Sequence, residues 1–182
     1  MPGGNAPDPK GTADPFFFDY KFGSLEPVRK RRQSGAVHDS PVLGRLEFVR
    51  MPPGRSSFWF GHQRMPDSRF TLQIVCEVVD DDVPGPDHVA CVVGLRRNQV
   101  RDAAACVSLV NERLRELNLP CMVREDDLVL TAIYLRPRPL LDPCHELEYH
   151  ASVAPELLVT VAFVGGAPQA VRIDHEFSDP LR

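Results

Sequence analysis

The sequence predicts an α+β domain, an antiparallel sheet with one or two helices packed on one face, behind a disordered N-terminal arm. Period-2 alternation of apolar residues recurs in both halves of the chain, most clearly at 69–79, and indicates strands. An apolar stripe with helical spacing occupies 98–118, between the two groups of strands. Strands, then helix, then strands is an order typical of α+β folds rather than of wound parallel sheets. With 182 residues the chain can form one such domain and an arm.

The arm is predicted to comprise residues 1–38, and the single domain residues 39–182. Residues 1–14 are mainly Gly, Pro, Asp and Ala and offer little to bury, which is typical of disorder. An aromatic cluster follows, and we expect it to anchor the arm on the domain or, alternatively, on a partner: Phe16, Phe17, Phe18, Tyr20 and Phe22. A basic run then precedes a solvated connector, and it would supply an electrostatic contact if the arm makes one: Arg29, Lys30, Arg31 and Arg32.

Three strands that form a meander are predicted in the first part of the domain, at 41–50, 57–62 and 69–79. Turns containing proline separate them. The second strand holds the lone tryptophan, Trp59, for which we expect packing in the core.

Two helices are predicted in the middle of the chain, at 88–95 and 98–118. Asp87 can cap the first helix, and Asn98 the second, because their side chains accept hydrogen bonds from free backbone N–H groups. Pro120 lies just beyond the second helix and is typical of a helix end.

The chain then returns to strands, at 127–136, 146–153, 157–164 and 170–177. The first of these is apolar on both faces, which predicts a central strand covered on both sides. The other three are predicted to be antiparallel. Gly165-Gly166 predicts a tight turn between the last two, because glycine accepts positive φ.

No metal, cofactor or catalytic motif stands out. The five cysteines are an odd number, and we expect free thiols in a reducing compartment, hence a cytoplasmic protein. Cys144, His145 and His150 are close in sequence but lack the spacing of a zinc site. We therefore predict no metal ion and no cofactor. An enzyme of unknown class that uses a Cys/His/Asp site is retained as one alternative function.

Charge separates the two parts of the chain. Residues 1–40 carry six Lys or Arg and five Asp or Glu, whereas residues 41–182 carry fifteen and twenty. An acidic domain disfavours nucleic acids and membranes, whose surfaces are anionic. A nucleic-acid or phage-defence accessory role through the basic arm is the second alternative. No apolar run approaches the ~18 residues needed to cross a bilayer.

Two motifs carry a resemblance to a known group of domains. An opening strand contains Pro41-Val42-Leu43-Gly44, and a closing hairpin at 159–168 has the pattern V-T-V-x-F-x-G-G-x-P. In this order they resemble small bacterial domains of unknown function that include toxin-immunity-like proteins. The resemblance covers residues 39–177 and implies binding to a partner, with no catalytic residues to transfer. The arm and the segment at 89–93 lie outside the pattern.

The sequence therefore favours a non-enzymatic partner-binding protein, either toxin-immunity-like or an accessory subunit of a bacterial complex. The expected partner is another protein, and its surface would be basic because the domain is acidic. Exposed strand edges also allow a homodimer.

Overall fold

The computed structural model describes residues 33–51, 56–64, 71–79, 82–139 and 144–175. The predicted arm therefore lies outside the described residues as far as residue 32. The described elements, in chain order, are β1 (Gln33–Ser40), β2 (Gly44–Val49), β3 (Ser57–Arg64), β4 (Thr71–Val78), α1 (Pro86–Glu116), a single 3-10 turn (Glu125–Asp127), β5 (Leu128–Leu135), β6 (Cys144–Ala151), β7 (Leu157–Val164) and β8 (Ala167–His175).

All eight described strands form one sheet in which spatial order follows chain order. Neighbours are antiparallel, as predicted, except for β4 and β5 at the centre, which are parallel. The purely antiparallel sheet that we expected is therefore wrong at this one pair. Parallel neighbours need a long crossover, and α1 supplies it. The predicted meander of the first three strands is confirmed as β2, β3 and β4.

The helical part of the chain is one continuous helix of 31 residues rather than two. Gly94 and the polar residues after it do not interrupt the helix. A glycine inside a helix costs only about 1 kcal/mol, and the buried residues that precede and follow it along the helix offset that cost. Gly85, not Asp87, is the N-cap, since Pro86 occupies the first helical position. Asp87 lies in the first turn, where a negative charge interacts favourably with the helix dipole.

Strand β1 lies where the sequence predicted no strand, so a second expectation is wrong. Residues after Arg32 were predicted to be a solvated connector, yet Gln33–Ser40 pairs with β2. The glycine and polar residues of this stretch lack an apolar alternation, so only the neighbouring strand makes it recognisable.

The side chains of the sheet point to two faces. One side of the sheet shares the larger hydrophobic cluster with α1, and we call it the first face. The residues that α1 contributes to this cluster are Val92, Leu95, Ala103, Cys106, Val110 and Leu114. Trp59 belongs to this cluster, which confirms its predicted place in the core, and its Nε1 donates a hydrogen bond to the carbonyl of Asp82 (2.7 Å). We call second face the opposite side.

The second face has a hydrophobic cluster of its own, which we call the aromatic patch: Val49, Met51, Phe58, Phe60, Val75, Ala132 and Tyr134. It contains residues of β2 to β5 and the residue Met51 after β2, and none from α1. Strand β5 is buried on both faces, as predicted for a central strand.

A bulge and a tight turn shape the second half of the sheet. Leu130 pairs with Tyr149 and Ala132 with Glu148, so Thr131 is an extra residue in β5. The bulge brings Thr131 to the second face, where its hydroxyl contacts Glu148. Gly165 and Gly166 have φ of +60° and +80°, which confirms the predicted tight turn between β7 and β8.

Among the described residues, no helix combines the length and the apolarity that crossing a membrane requires.

Candidate functional site

Beside the aromatic patch, the second face carries ionisable and hydroxyl side chains, which we call the carboxylate cluster: Glu77, Thr131, Arg136, Glu146, Glu148, Arg172 and Asp174. Glu146 and Glu148 are two residues apart on β6 and therefore share a face. In the register of the sheet Glu148 pairs with Thr160, which pairs in turn with Arg172 on β8. Counted with all groups ionised, the four acids and two arginines carry a net charge of −2.

Glu148 lies where the carboxylate cluster meets the aromatic patch. Its carboxylate accepts a hydrogen bond from the Tyr134 hydroxyl (3.2 Å). The Thr131 hydroxyl lies 3.1 Å from the backbone carbonyl oxygen of Glu148 and 3.4 Å from the carboxylate, so it can donate to either. The side chain is only 9% exposed. Burial raises the pKa of Glu148, while the two hydrogen bonds and Arg172 oppose that shift. The pKa of Tyr134 is also raised, first by burial and then by the charge of Glu148, so the phenol stays neutral and remains a donor.

Glu146 is more deeply buried, with 1% of its surface exposed. The Arg136 guanidinium lies 3.5 Å from a Glu146 carboxylate oxygen and 3.7 Å from one of Glu77. One arginine thus spans the carboxylates of β4 and β6, on either side of its own strand. On β8, at the other end of the carboxylate cluster, Nε of Arg172 lies 3.0 Å from a carboxylate oxygen of Asp174. Buried charges are retained only when such partners offset the cost of removing them from water.

Three of the five cysteines are poor candidates for nucleophiles. All five are free, as predicted. Burial raises the pKa of Cys76 and Cys106 to about 12 and that of Cys91 to about 11, so these thiols stay protonated. Because the thiolate is the reactive form, the environment of these three counts against covalent catalysis. Cys106 lies beside the Tyr149 hydroxyl, which makes no hydrogen bond of normal geometry.

Of Cys144, His145 and His150, which are close in sequence, strand alternation places the two histidines on opposite faces. Leu135 pairs with His145, and Val129 with His150, so the two imidazoles point to opposite faces. His145 stacks on Phe163 with ring centroids 5.0 Å apart. Burial lowers its pKa to about 4, so the ring is neutral at pH 7. Within the described part of the chain, no group of three or more His, Cys, Asp or Glu residues is arranged to hold a metal ion.

Two depressions formed by described residues are small, at about 180 and 270 Å³. The first lies at the start of α1, and the second lies between α1 and β8 and is lined by Leu109, Glu112 and Val171 among others. Both volumes are below the roughly 300 Å³ at which small-molecule sites begin. Neither includes a residue of the carboxylate cluster.

The site residues predicted from sequence lie outside the described residues, so their placement stays a prediction: Phe16, Phe17, Phe18, Tyr20, Phe22, Arg29, Lys30, Arg31 and Arg32. Sequence reasoning missed the carboxylate cluster. A signal for it existed, because Glu146 and Glu148 alternate with apolar residues in a strand that is otherwise buried.

Comparisons of the chain with protein-family models, with curated proteins and with solved structures gave no match.

Proposed function

We propose that the chain is a non-enzymatic partner-binding protein whose second sheet face receives an aromatic and basic segment of another protein. One observation carries the proposal: the aromatic patch adjoins the carboxylate cluster on the face that lies opposite α1. The two halves are physically linked, since Tyr134 belongs to the patch and donates to Glu148.

The chemistry of the face selects the class of partner. Phe58, Phe60 and Tyr134 carry flat aromatic rings that are only 3–4% exposed in the free chain. Aromatic side chains of a partner would bury a large area against these rings once binding uncovers them. Arginine or lysine beside those aromatics would meet the net negative cluster through charge-assisted hydrogen bonds. An anionic partner such as nucleic acid would meet repulsion on the same face.

A toxin-immunity-like role is one form of this function. An immunity protein blocks a toxin by covering its surface and needs no catalytic residue of its own. A basic toxin would be attracted by the acidic domain, so the rate of association should fall as salt is added. Support for this form comes from the net negative charge of the carboxylate cluster.

The experiment compares the full chain with two variants as bait in nuclease-treated extract of its own cells. Glu148→Gln removes a charge from the face while keeping an acceptor for Tyr134. Glu112→Gln removes a charge from the exposed side of α1 and is the matched control. A protein captured in stoichiometric amount is identified by mass spectrometry, purified and titrated against all three chains.

We expect Glu148→Gln to weaken binding by about tenfold or more and Glu112→Gln to leave it unchanged. Affinity of the original chain should also fall as salt rises. Equal affinity for all three chains would place the contact elsewhere, and the absence of any stoichiometric partner would overturn the proposal. Thermal unfolding of each variant shows whether a loss of binding reflects a loss of fold.

A further inference from the structure

We propose that the start of α1 is a pH-sensitive cap. While its imidazole is neutral, His88 holds the first turn of the helix and the preceding loop 82–85 closed, and protonation of the ring releases both. Such a device would act in the free chain, whatever partner the second face binds, so it does not rest on the proposed function.

The N-terminus of α1 is closed by a histidine side chain. Gly85, the N-cap residue, has no side chain that could accept hydrogen bonds from the free N–H groups of the first turn. The backbone N–H of Gly85 instead donates to Nδ1 of His88, three residues further on (3.3 Å). Glutamate or glutamine commonly makes this contact from the same position in a capping box. Histidine makes the contact depend on pH in the range where an imidazole titrates.

The contact fixes where the neutral ring carries its proton. Nδ1 accepts a hydrogen bond only while it is unprotonated, so the proton of the neutral imidazole lies on Nε2. Nε2 is buried and has no hydrogen-bond partner of normal geometry among the described residues, and His88 as a whole is 8% exposed. A second proton would go to Nδ1 and would face the N–H of Gly85, donor against donor. Protonation would therefore replace the closing contact by a repulsion.

The surroundings of the ring disfavour its charged form on balance. Burial is the largest effect, and it lowers the pKa of His88. The Glu77 backbone carbonyl and the charge of Asp87 oppose that shift. The other charged side chains that line the depression at the start of α1 are Asp82 and Arg138, which are of opposite sign. The N-terminal end of a helix dipole also disfavours a cation.

The direction of the pH effect follows from the two forms of the cap. In the open form the imidazole would lie in water with the ordinary histidine pKa of about 6.5, whereas the closed form binds a proton less well. Protons therefore favour the open form as pH falls below about 6.5. The thiols that β4 and α1 contribute to the neighbouring hydrophobic cluster, Cys76 and Cys91, stay protonated and add no charge.

Opening of the cap would reach the core through Trp59. Its Nε1 donates to the carbonyl of Asp82, in the loop that Gly85 ends, and the indole is only 4% exposed. Release of the loop would remove this acceptor. It would also enlarge the depression of about 180 Å³ that the loop forms with Val78. Acid would thus uncover an apolar margin of the first face while the sheet stays paired.

The lone tryptophan makes this opening measurable. The test is quenching of its fluorescence by acrylamide, a neutral quencher that reports exposure of the indole, in the full chain at pH 7.5 and at pH 5. Three chains are compared: the original, His88→Gln and His38→Gln. Glutamine at position 88 keeps an acceptor for the N–H of Gly85 but does not titrate. His38→Gln is the matched control, because the His38 ring lies 6.0 Å from that of Trp59 and is not part of the cap.

We expect the quenching constant to rise severalfold on acidification in the original chain and in His38→Gln, and to stay constant in His88→Gln. Far-UV circular dichroism should change little, because only the first turn of a helix of 31 residues is released. The proposal is overturned by an equal rise in His88→Gln, by a rise that His38→Gln abolishes, by no rise at all, or by a simultaneous loss of the helix and sheet signals.

Amide hydrogen exchange of the original chain gives a second readout that needs no variant, should His88→Gln not fold. Exchange is measured by mass spectrometry at both pH values and scaled to the intrinsic rate of the unfolded peptides at each pH. We expect peptides that cover 82–90 to lose protection at pH 5 while those of β5 keep theirs. Equal protection of 82–90 at the two pH values would show that the cap does not open.

Discussion

At the scale of single residues, strand alternation decides the chemistry of β6. His145 and Glu148 are three positions apart and point to opposite faces. Glu148 meets two hydroxyl donors, which partly offset the cost of burying a carboxylate. Nε2 of His145 has no hydrogen-bond partner among the described residues, and the ring packs on Phe163. The same strand therefore contributes a buried carboxylate to the second face and a neutral imidazole to the first face.

His145 makes stability depend on pH. The pKa of a histidine is about 6.5 in the unfolded chain and about 4 in the folded protein. A lowered folded pKa means that the unfolded state binds more protons, so stability is lost as pH falls from about 6.5 to 4. The shift corresponds to about 3 kcal/mol of unfolding free energy.

The measurement is the unfolding free energy of the full chain and of His145→Leu, by urea titration at several pH values. We expect the leucine variant to gain about 3 kcal/mol relative to the original chain between pH 7 and pH 4. Other titrating groups are common to both chains and cancel in the difference. A difference that does not change with pH would contradict the buried, neutral imidazole.

At the scale of elements, local pattern predicted most of the strands. β3, β4, β5 and β7 lie within two residues of their predicted bounds, because each has apolar residues at alternate or successive positions and a turn on either side. β1 was missed, since its stability comes from pairing with β2 rather than from its own composition. The parallel pairing of β4 with β5 could not be read from local pattern either, because it depends on where α1 returns the chain.

The candidate site, too, could be predicted from local pattern only in part. The alternation of Glu146 and Glu148 is visible in the sequence of β6, so two of the four acids in the carboxylate cluster could have been predicted. Arg136 follows β5 directly and joins the cluster because its guanidinium reaches Glu77 on one neighbouring strand and Glu146 on the other. Thr131 joins because of a bulge that no local residue signals. Register and bulges are properties of pairs of strands, so single-strand patterns do not reveal them.

Two glycines provide a test at the scale of β3 and α1. A Cβ at Gly61 would lie 2.5 Å from the Arg45 carbonyl oxygen and 2.6 Å from Leu46 Cδ2, so β2 and β3 would have to separate. A Cβ at Gly94 in α1 would meet nothing within 4 Å. We expect Gly61→Ala to cost ~1–3 kcal/mol and Gly94→Ala to add ~0.5–1 kcal/mol.

Chemical denaturation of both alanine variants measures these changes in unfolding free energy. The pair controls for the addition of a methyl group, since the two substitutions differ only in their surroundings. A neutral Gly61→Ala would mean that β2 and β3 are further apart at this point than the structure shows.

At the scale of the whole molecule, the sheet is most enclosed at its centre and least enclosed at β1. β5 has a strand on each side and buried residues on both faces. The backbone of α1 comes close to β8, so that outer strand is sheltered by the helix. β1 has a single strand neighbour in the described sheet, and Ala36, Val37 and Asp39 are exposed.

This gradient predicts the order of amide hydrogen exchange in the native protein. Amides of β5 should exchange slowest, because their release requires global unfolding, and those of β1 should exchange fastest among the strands. Mass spectrometry of exchanged, digested full chain measures both. Protection of β1 equal to that of β5 would contradict an open edge. If β1 were protected, light scattering of the full chain would show whether a second copy pairs with it. An edge strand offers backbone groups with which another strand can pair, so a dimer would give twice the chain mass. A doubled mass would show the homodimer that the sequence allows, and the protection of β1 would point to that strand as the contact.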